Sequence, residues 1–225
     1  MKRIYLHGLG QTAQSWNEVI RASSSDGSHQ TLDLIDMIDS AESTYKQLYT
    51  KLAAYLSKEK EPFELCGLSL GAVLALNYAI KHPKKVSSLV LITPQYRMPK
   101  TLLKIQNMVF RLMPESKFKE TGLSKQSMIA LCDSMKDLDF SGSLAKVNSP
   151  TLIICGQKDS ANMKQARKMA DSMPSAVFKS IDDAGHEVNA EAPALLAMVL
   201  DEFFRKASQD GLHGNEPIKD QKEKI

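Results

Sequence analysis

The stretch that most constrains this chain is Gly67-Leu68-Ser69-Leu70-Gly71, which lies between an apolar run, Phe63 to Cys66, and a run of helical character, Ala72 to Lys81. Glycines two residues either side of a serine suit a tight strand-to-helix turn, where a Cβ would crowd strand against helix. A turn of this kind exposes the serine hydroxyl. The hydroxyl is a weak nucleophile near neutral pH and gains reactivity beside a base and near donors for a developing oxyanion. A chain built around this turn has to supply both from elsewhere.

Taken in order, Ile4-Tyr5-Leu6 is a short β-type run that ends in His7-Gly8-Leu9-Gly10, and Ala13, Trp16, Val19 and Ile20 follow at helical spacing. Trp16 reads as a packing anchor. Residues 21–30 are rich in Ser, Gly and Asp and read as a loop, and Thr31 to Leu34 as a second short strand. Asp39 and Glu42 form a candidate capping box for a helix whose buried face is Tyr45, Leu48, Tyr49, Leu52 and Leu56. The helix after Ser69 ends at His82-Pro83, and Leu89 to Ile92 is a continuous apolar run suited to a strand buried on both faces. Between Arg97 and Asn148 the alternation stops, with helical signals and no convincing strand, so this segment reads as a cap inserted into the sheet, about 97–148. Thr151 to Cys155 resumes a buried strand, with Pro150 where no ladder donor is lost. A helix from about Asn162 to Met173, a strand at Val177 to Ile181 and a helix begun by Pro193 complete a domain over residues 1–207. Residues 208–225 turn polar and read as a disordered tail. Alternating strands and helices predict an α/β fold with a mostly parallel sheet of about six strands and helices on both faces.

For a serine so placed, the acid follows a late strand and the histidine follows the last one. Asp159, in Gly156-Gln157-Lys158-Asp159, and His186, in Gly185-His186-Glu187, occupy those positions. Asp182 and Asp183 are rival acids, whereas the strand end at Ile92-Thr93-Pro94-Gln95 offers none. The order Ser69, Asp159, His186, preceded by the glycine loop at Gly8 to Gly10, resembles the α/β-hydrolase superfamily, especially its small cytoplasmic serine hydrolases, over roughly residues 2–206. The loop departs from the H-G-G-G of many lipases, and the chain begins at what would be the third strand of the full fold. The resemblance implies an oxyanion hole formed by the backbone amides of Leu9 and Leu70. It further implies two-step acyl transfer, in which His186 takes the Ser69 proton, Asp159 orients the imidazole and water cleaves the acyl-enzyme. No cofactor or metal is required by that chemistry.

Other functions fit less of the chain. Gly8-Leu9-Gly10-Gln11-Thr12-Ala13 matches a dinucleotide-binding G-x-G-x-x-A with Asp33 downstream, but that reading leaves Ser69, Asp159 and His186 unexplained. A non-catalytic receptor keeping the fold leaves the same three residues without a purpose. A lyase reaction, C–C cleavage or elimination, could use the same base and donors. No H-x-x-x-H or C-x-x-C spacing suggests a metal. The formal charge of +3, without a Lys/Arg block, gives no basis for a nucleic-acid partner. The unpatterned Cys66, Cys132 and Cys155, and the lack of a signal-like or membrane-length apolar run, point to a cytoplasmic protein, monomeric or homodimeric.

The first candidate cap helix carries Leu102, Leu103, Ile105, Met108, Val109, Phe110, Leu112 and Met113 around most of its circumference. The expectation is that one face packs down and the surplus lines a pocket above Ser69, with Met98, Met108, Met113, Met128 and Met135 as adaptable contacts. Between Arg97 and Lys125 seven Lys/Arg stand against two Glu, a balance able to attract an anionic substrate. The expected substrate is a small or medium acyl ester or thioester.

Overall fold

The computed structural model describes residues 1–38 and 43–213. In chain order it contains β1 (Lys2–Leu6), a 3-10 turn (Ala13–Trp16), α1 (Asn17–Ala22), β2 (Ser28–Leu32), α2 (Tyr45–Leu56), β3 (Phe63–Leu68), α3 (Leu70–Lys81) and β4 (Val86–Ile92). After these come α4 (Lys100–Leu112), α5 (Lys125–Met135), β5 (Thr151–Gly156), α6 (Ser160–Asp171), β6 (Ala176–Ile181), α7 (Val188–Glu191) and α8 (Pro193–His213). Among the described residues six strands form one sheet in the order β2-β1-β3-β4-β5-β6, and every pairing is parallel.

Pleating divides the apolar runs between two cores. Ile4, Leu65, Leu89, Leu91 and Ile153 face α2, α3 and α6, whereas Tyr5, Cys66, Val90, Ile92, Leu152 and Ile154 face α1 and α8. Every residue of β3 and β5 is buried, as expected of central parallel strands covered on both sides. Trp16 is fully buried, its ring 5.0 Å from that of Tyr5, and anchors the α1 side. β2 starts at Ser28, inside the segment whose composition reads as a loop. It is an edge strand held by register with β1 and buries only Leu32, so it overlaps the strand expected at Thr31 to Leu34 only at Thr31 and Leu32 and begins three residues earlier.

The Asp39–Glu42 capping box lies outside the described residues; the cap of α2 is Thr44, whose side chain accepts from Gln47 N at 3.3 Å. The segment between β4 and β5 carries α4 and α5 and no named strand among the described residues. Its two ends meet in a neck where Met98 N donates to Leu138 O and Phe140 N to Tyr96 O. α8 continues past Ala207 to His213. No helix among the described residues is long and apolar enough to cross a membrane.

Candidate active site

Ser69 joins β3 to α3 with φ +52° and ψ −111°. Close packing forces this turn: a Cβ on Gly67 would lie 2.3 Å from Gly71 O, and one on Gly71 would lie 2.3 Å from Leu6 O. Strand, helix and the end of β1 therefore meet backbone to backbone, and the serine side chain is left as the projecting group.

His186, in the loop after β6, reaches the turn. Its Nε2 is 3.0 Å from Ser69 Oγ, and its Nδ1 is 2.8 Å from Asp159 Oδ2. Asp159 follows β5 and caps α6, so one carboxylate oxygen serves the helix while the other faces the imidazole. Burial by itself would raise the Asp159 carboxyl, but hydrogen bonds from His186 and Asn162 outweigh it and hold the group below the ordinary carboxylate range. The rival acids point elsewhere: Asp183 is exposed and paired with Lys158 at 3.2 Å, and Asp182 is exposed. A Cβ on Gly156 would lie 2.1 Å from Gly185 O, which shows how tightly the end of β5 holds the histidine loop. Glu191 braces that loop from the other side, accepting from Gly185 N at 2.8 Å and Glu187 N at 3.1 Å.

The glycine loop is held by polar side chains. His7, buried, accepts from Leu34 N at Nε2, which leaves Nδ1 protonated to donate to Gly8 O at 2.8 Å. Gln11 Oε1 accepts from Gly8 N, and the Gln11 amide pairs with fully buried Asn189 at 3.1 and 3.2 Å, tying this loop to α7 just after His186. The amides of Leu9 and Leu70 have no acceptor among the described residues, so both remain available to a ligand oxygen. Asp33, the residue a dinucleotide site would need, instead accepts from Ala13 N and Ile35 N and thereby fastens two turns.

A cavity of about 620 Å³ opens over Ser69. Leu9, Leu70, Ser69, Asp159 and His186 border it on the sheet side; Met98, Leu103, Phe110, Met113, Phe118, Met128 and Met135 line it from the neck and the inserted helices. Met108 does not belong to it. The stripe of α4 that faces the cavity passes through Leu103 and Phe110, with Met113 just past its end, leaving Met108 (64% exposed), Val109 and Leu112 on the outer face. The surplus apolar surface of this helix therefore points to solvent, because the roughly 100° between successive helical residues puts Met108 off the inner stripe. The side chains of Leu102 and Ile105 lie outside the described ones. Cys132 also borders the cavity, but burial pushes its thiol up to about 12, so it is protonated at neutral pH.

Ser69, Asp159 and His186 thus meet as their positions in the sequence suggest. Asn162, Gln95, Gln11, Asn189 and Glu191 carry no comparable signal, apart from the placement of Asn162 in the first turn after Asp159.

The profile of the serine aminopeptidase family, S33, matches residues 33–130. A monoacylglycerol lipase of Xenopus laevis is 23% identical over 195 residues, 68% of this chain, which spans 58% of that protein's length. A Bacillus subtilis protein bearing the name 2-succinyl-6-hydroxy-2,4-cyclohexadiene-1-carboxylate synthase is 22% identical over an alignment of 254 positions covering 89% of each chain. Among solved structures, the enol-lactonase of Burkholderia xenovorans superposes with a TM-score of 0.78 at 16% identity, over 91% of both chains. The parallel sheet, the turn at Ser69 and these likenesses make the chain a protein of the α/β-hydrolase fold.

Proposed function

We propose that this protein is a serine hydrolase that cleaves a small to medium carboxylic ester or thioester through an acyl-enzyme on Ser69. The observation that carries the reading is the continuous chain from Ser69 Oγ to His186 Nε2 (3.0 Å) and from His186 Nδ1 to Asp159 Oδ2 (2.8 Å), at the floor of an apolar cavity. His186 accepts the hydroxyl proton as Ser69 attacks the carbonyl carbon, and Asp159 stabilises the imidazolium that forms. The Leu9 and Leu70 amides receive the oxyanion, His186 returns the proton to the leaving group, and water, activated by the same imidazole, releases the acid. The acyl chain lies under the inserted helices against Met98, Met113 and Met128. No step calls for a cofactor. The buried Cys66, Cys132 and Cys155 suit a reducing, cytoplasmic compartment.

A fluorophosphonate probe followed by peptide mapping tests the nucleophile, with adduct expected on Ser69. A series of p-nitrophenyl esters from C2 to about C12 tests the substrate class: kcat/KM should rise about fourfold per buried CH₂, equivalent to about 0.8 kcal/mol, and fall once the chain outgrows the cavity. The second reading is a lyase, favoured by the likeness to a protein named as a synthase across 89% of both chains. It becomes the better one if Ser69 labels while no ester or thioester in the series is cleaved.

A further inference from the structure

Resting on the hydrolase reading, we infer that Asn162, held in place by Gln95, is a positioning residue that sets which lone pairs of Asp159 face His186 and how much charge they carry. Asn162 Nδ2 lies 2.8 Å from both Asp159 oxygens. Asn162 Oδ1 accepts from Gln95 Nε2 at 2.8 Å, and Gln95 borders the cavity at the end of β4. The amide orientation follows from these contacts. Turned over, Asn162 would set its carbonyl oxygen against a carboxylate and its NH₂ against the Gln95 donor, losing every bond. Asn162 and Asp159 are 5% and 7% exposed, so water cannot replace the missing donors without a rearrangement.

Two donors converge on Asp159 Oδ2, the His186 Nδ1 proton and the Asn162 NH₂ group. Asn162 Nδ2 is also 3.2 Å from His186 Nδ1, but with the Nδ1 proton aimed at Asp159 this is an approach of two donors and not a hydrogen bond. Each hydrogen bond to the carboxylate disperses its charge and weakens its hold on the imidazolium. Asn162 therefore has two effects. It fixes the carboxylate plane toward His186, and it draws part of the carboxylate charge away from the imidazolium that forms. Helix capping is a separate duty, because the Asn162 backbone N–H donates to Asp159 Oδ1 at 3.2 Å whatever the side chain.

The experiment compares wild type, Asn162→Leu and Gln95→Leu by rate of Ser69 labelling with a fluorophosphonate and by the pH dependence of that rate, with thermal unfolding alongside. The charged groups around the imidazole are Asp159 ahead of α6, Glu187 and Glu191 of its own segment and Lys117 across the cavity, and none is altered in either variant. Asn162→Leu should label about tenfold to a hundredfold more slowly, and the acid limb of its profile should move to higher pH. Gln95→Leu, which leaves the cap of α6 untouched, should shift both in the same direction by less. Wild type that labels, with both variants keeping its acid limb even if they unfold earlier, would reduce the Asn162 side chain to a packing and stability role and overturn the inference alone. Wild type that does not label at Ser69 overturns the hydrolase reading and this inference with it.

Discussion

Ser69 holds a backbone angle, φ +52°, that costs a residue with a Cβ roughly 1–3 kcal/mol. The surrounding backbone contacts keep it there, and the strain points the hydroxyl at His186 instead of into the helix. If that geometry performs acyl transfer, Ser69→Ala and His186→Ala should each lower kcat by up to about a million-fold, with Asp159→Asn nearer ten-thousand-fold. Single-turnover rates on a p-nitrophenyl ester measure this; variants near the wild-type rate would remove the three residues from the mechanism. The pH dependence has a definite sign. Only neutral imidazole accepts the serine proton, so the rate should fall as acid protonates His186. The Asp159 carboxyl is held below its ordinary range, so its stabilising contribution is present above that range and lost only as pH falls through the lower folded value. Asp159 therefore remains ionised well below neutral pH, and an acid limb is expected in kcat/KM because only the neutral imidazole can accept the serine proton. A flat profile contradicts the role given to His186.

At the scale of elements, the site is a set of loop ends clamped to strand ends. Gly156 ends β5 against Gly185 O, so Gly156→Ala would drive a methyl into the backbone of the histidine loop. Its expected cost is more than about 4 kcal/mol in urea unfolding, with loss of labelling at Ser69 in whatever fraction stays folded. A variant as stable as wild type would show that the loop can move aside freely. The inserted helices allow a sharper contrast. Met108 stands in solvent and Met128, 3% exposed, borders the cavity. Met108→Ser should change stability by no more than about 0.5 kcal/mol and leave chain-length preference alone. Met128→Ala should cost about 2 kcal/mol and extend the accepted acyl chain. Equal effects on the ester series would mean that α4 does not have the orientation described.

For the whole molecule, the end of the sheet away from Ser69 is fastened by a buried charge cluster. Arg3 on β1 donates to Glu64 on β3 at 2.8 Å and to Asp201 on α8 at 3.4 Å, and its guanidinium lies 3.8 Å from the centre of the Phe204 ring. Removing the cation would leave Glu64, 4% exposed, without its partner, so Arg3→Met should destabilise by about 3–5 kcal/mol while the active site stays intact. Burial raises the Asp201 carboxyl, yet bonds from Ser23 and Ser24 and the charge of Arg3 prevail and hold it low. Its contribution is therefore present above the ordinary carboxylate range and lost in acid, and Asp201→Asn should flatten the acid side of a stability-versus-pH curve.

The sequence alone determined the features whose cause is local. Apolar runs of strand length declared β1 and β3 to β5, the spacing of Gly67, Ser69 and Gly71 declared the turn, and the late positions of Asp159 and His186 in an alternating chain brought both to the same end of the sheet as Ser69. Each depends on backbone sterics or burial within a few residues. The tertiary structure decided what depends on partners distant in the chain. The strand expected at Thr31 to Leu34 runs instead from Ser28 to Leu32, because pairing with β1 sets its bounds although its own residues are largely half-buried and polar. Met108 and Met113 look alike in sequence, and only the docking of α4 over the sheet turned one to solvent and the other to the cavity. Gln95, Asn162, Gln11 and Asn189 are ordinary polar residues until folding places amide beside amide, because a buried hydrogen-bond network is specified by geometry between elements and has no period along the chain.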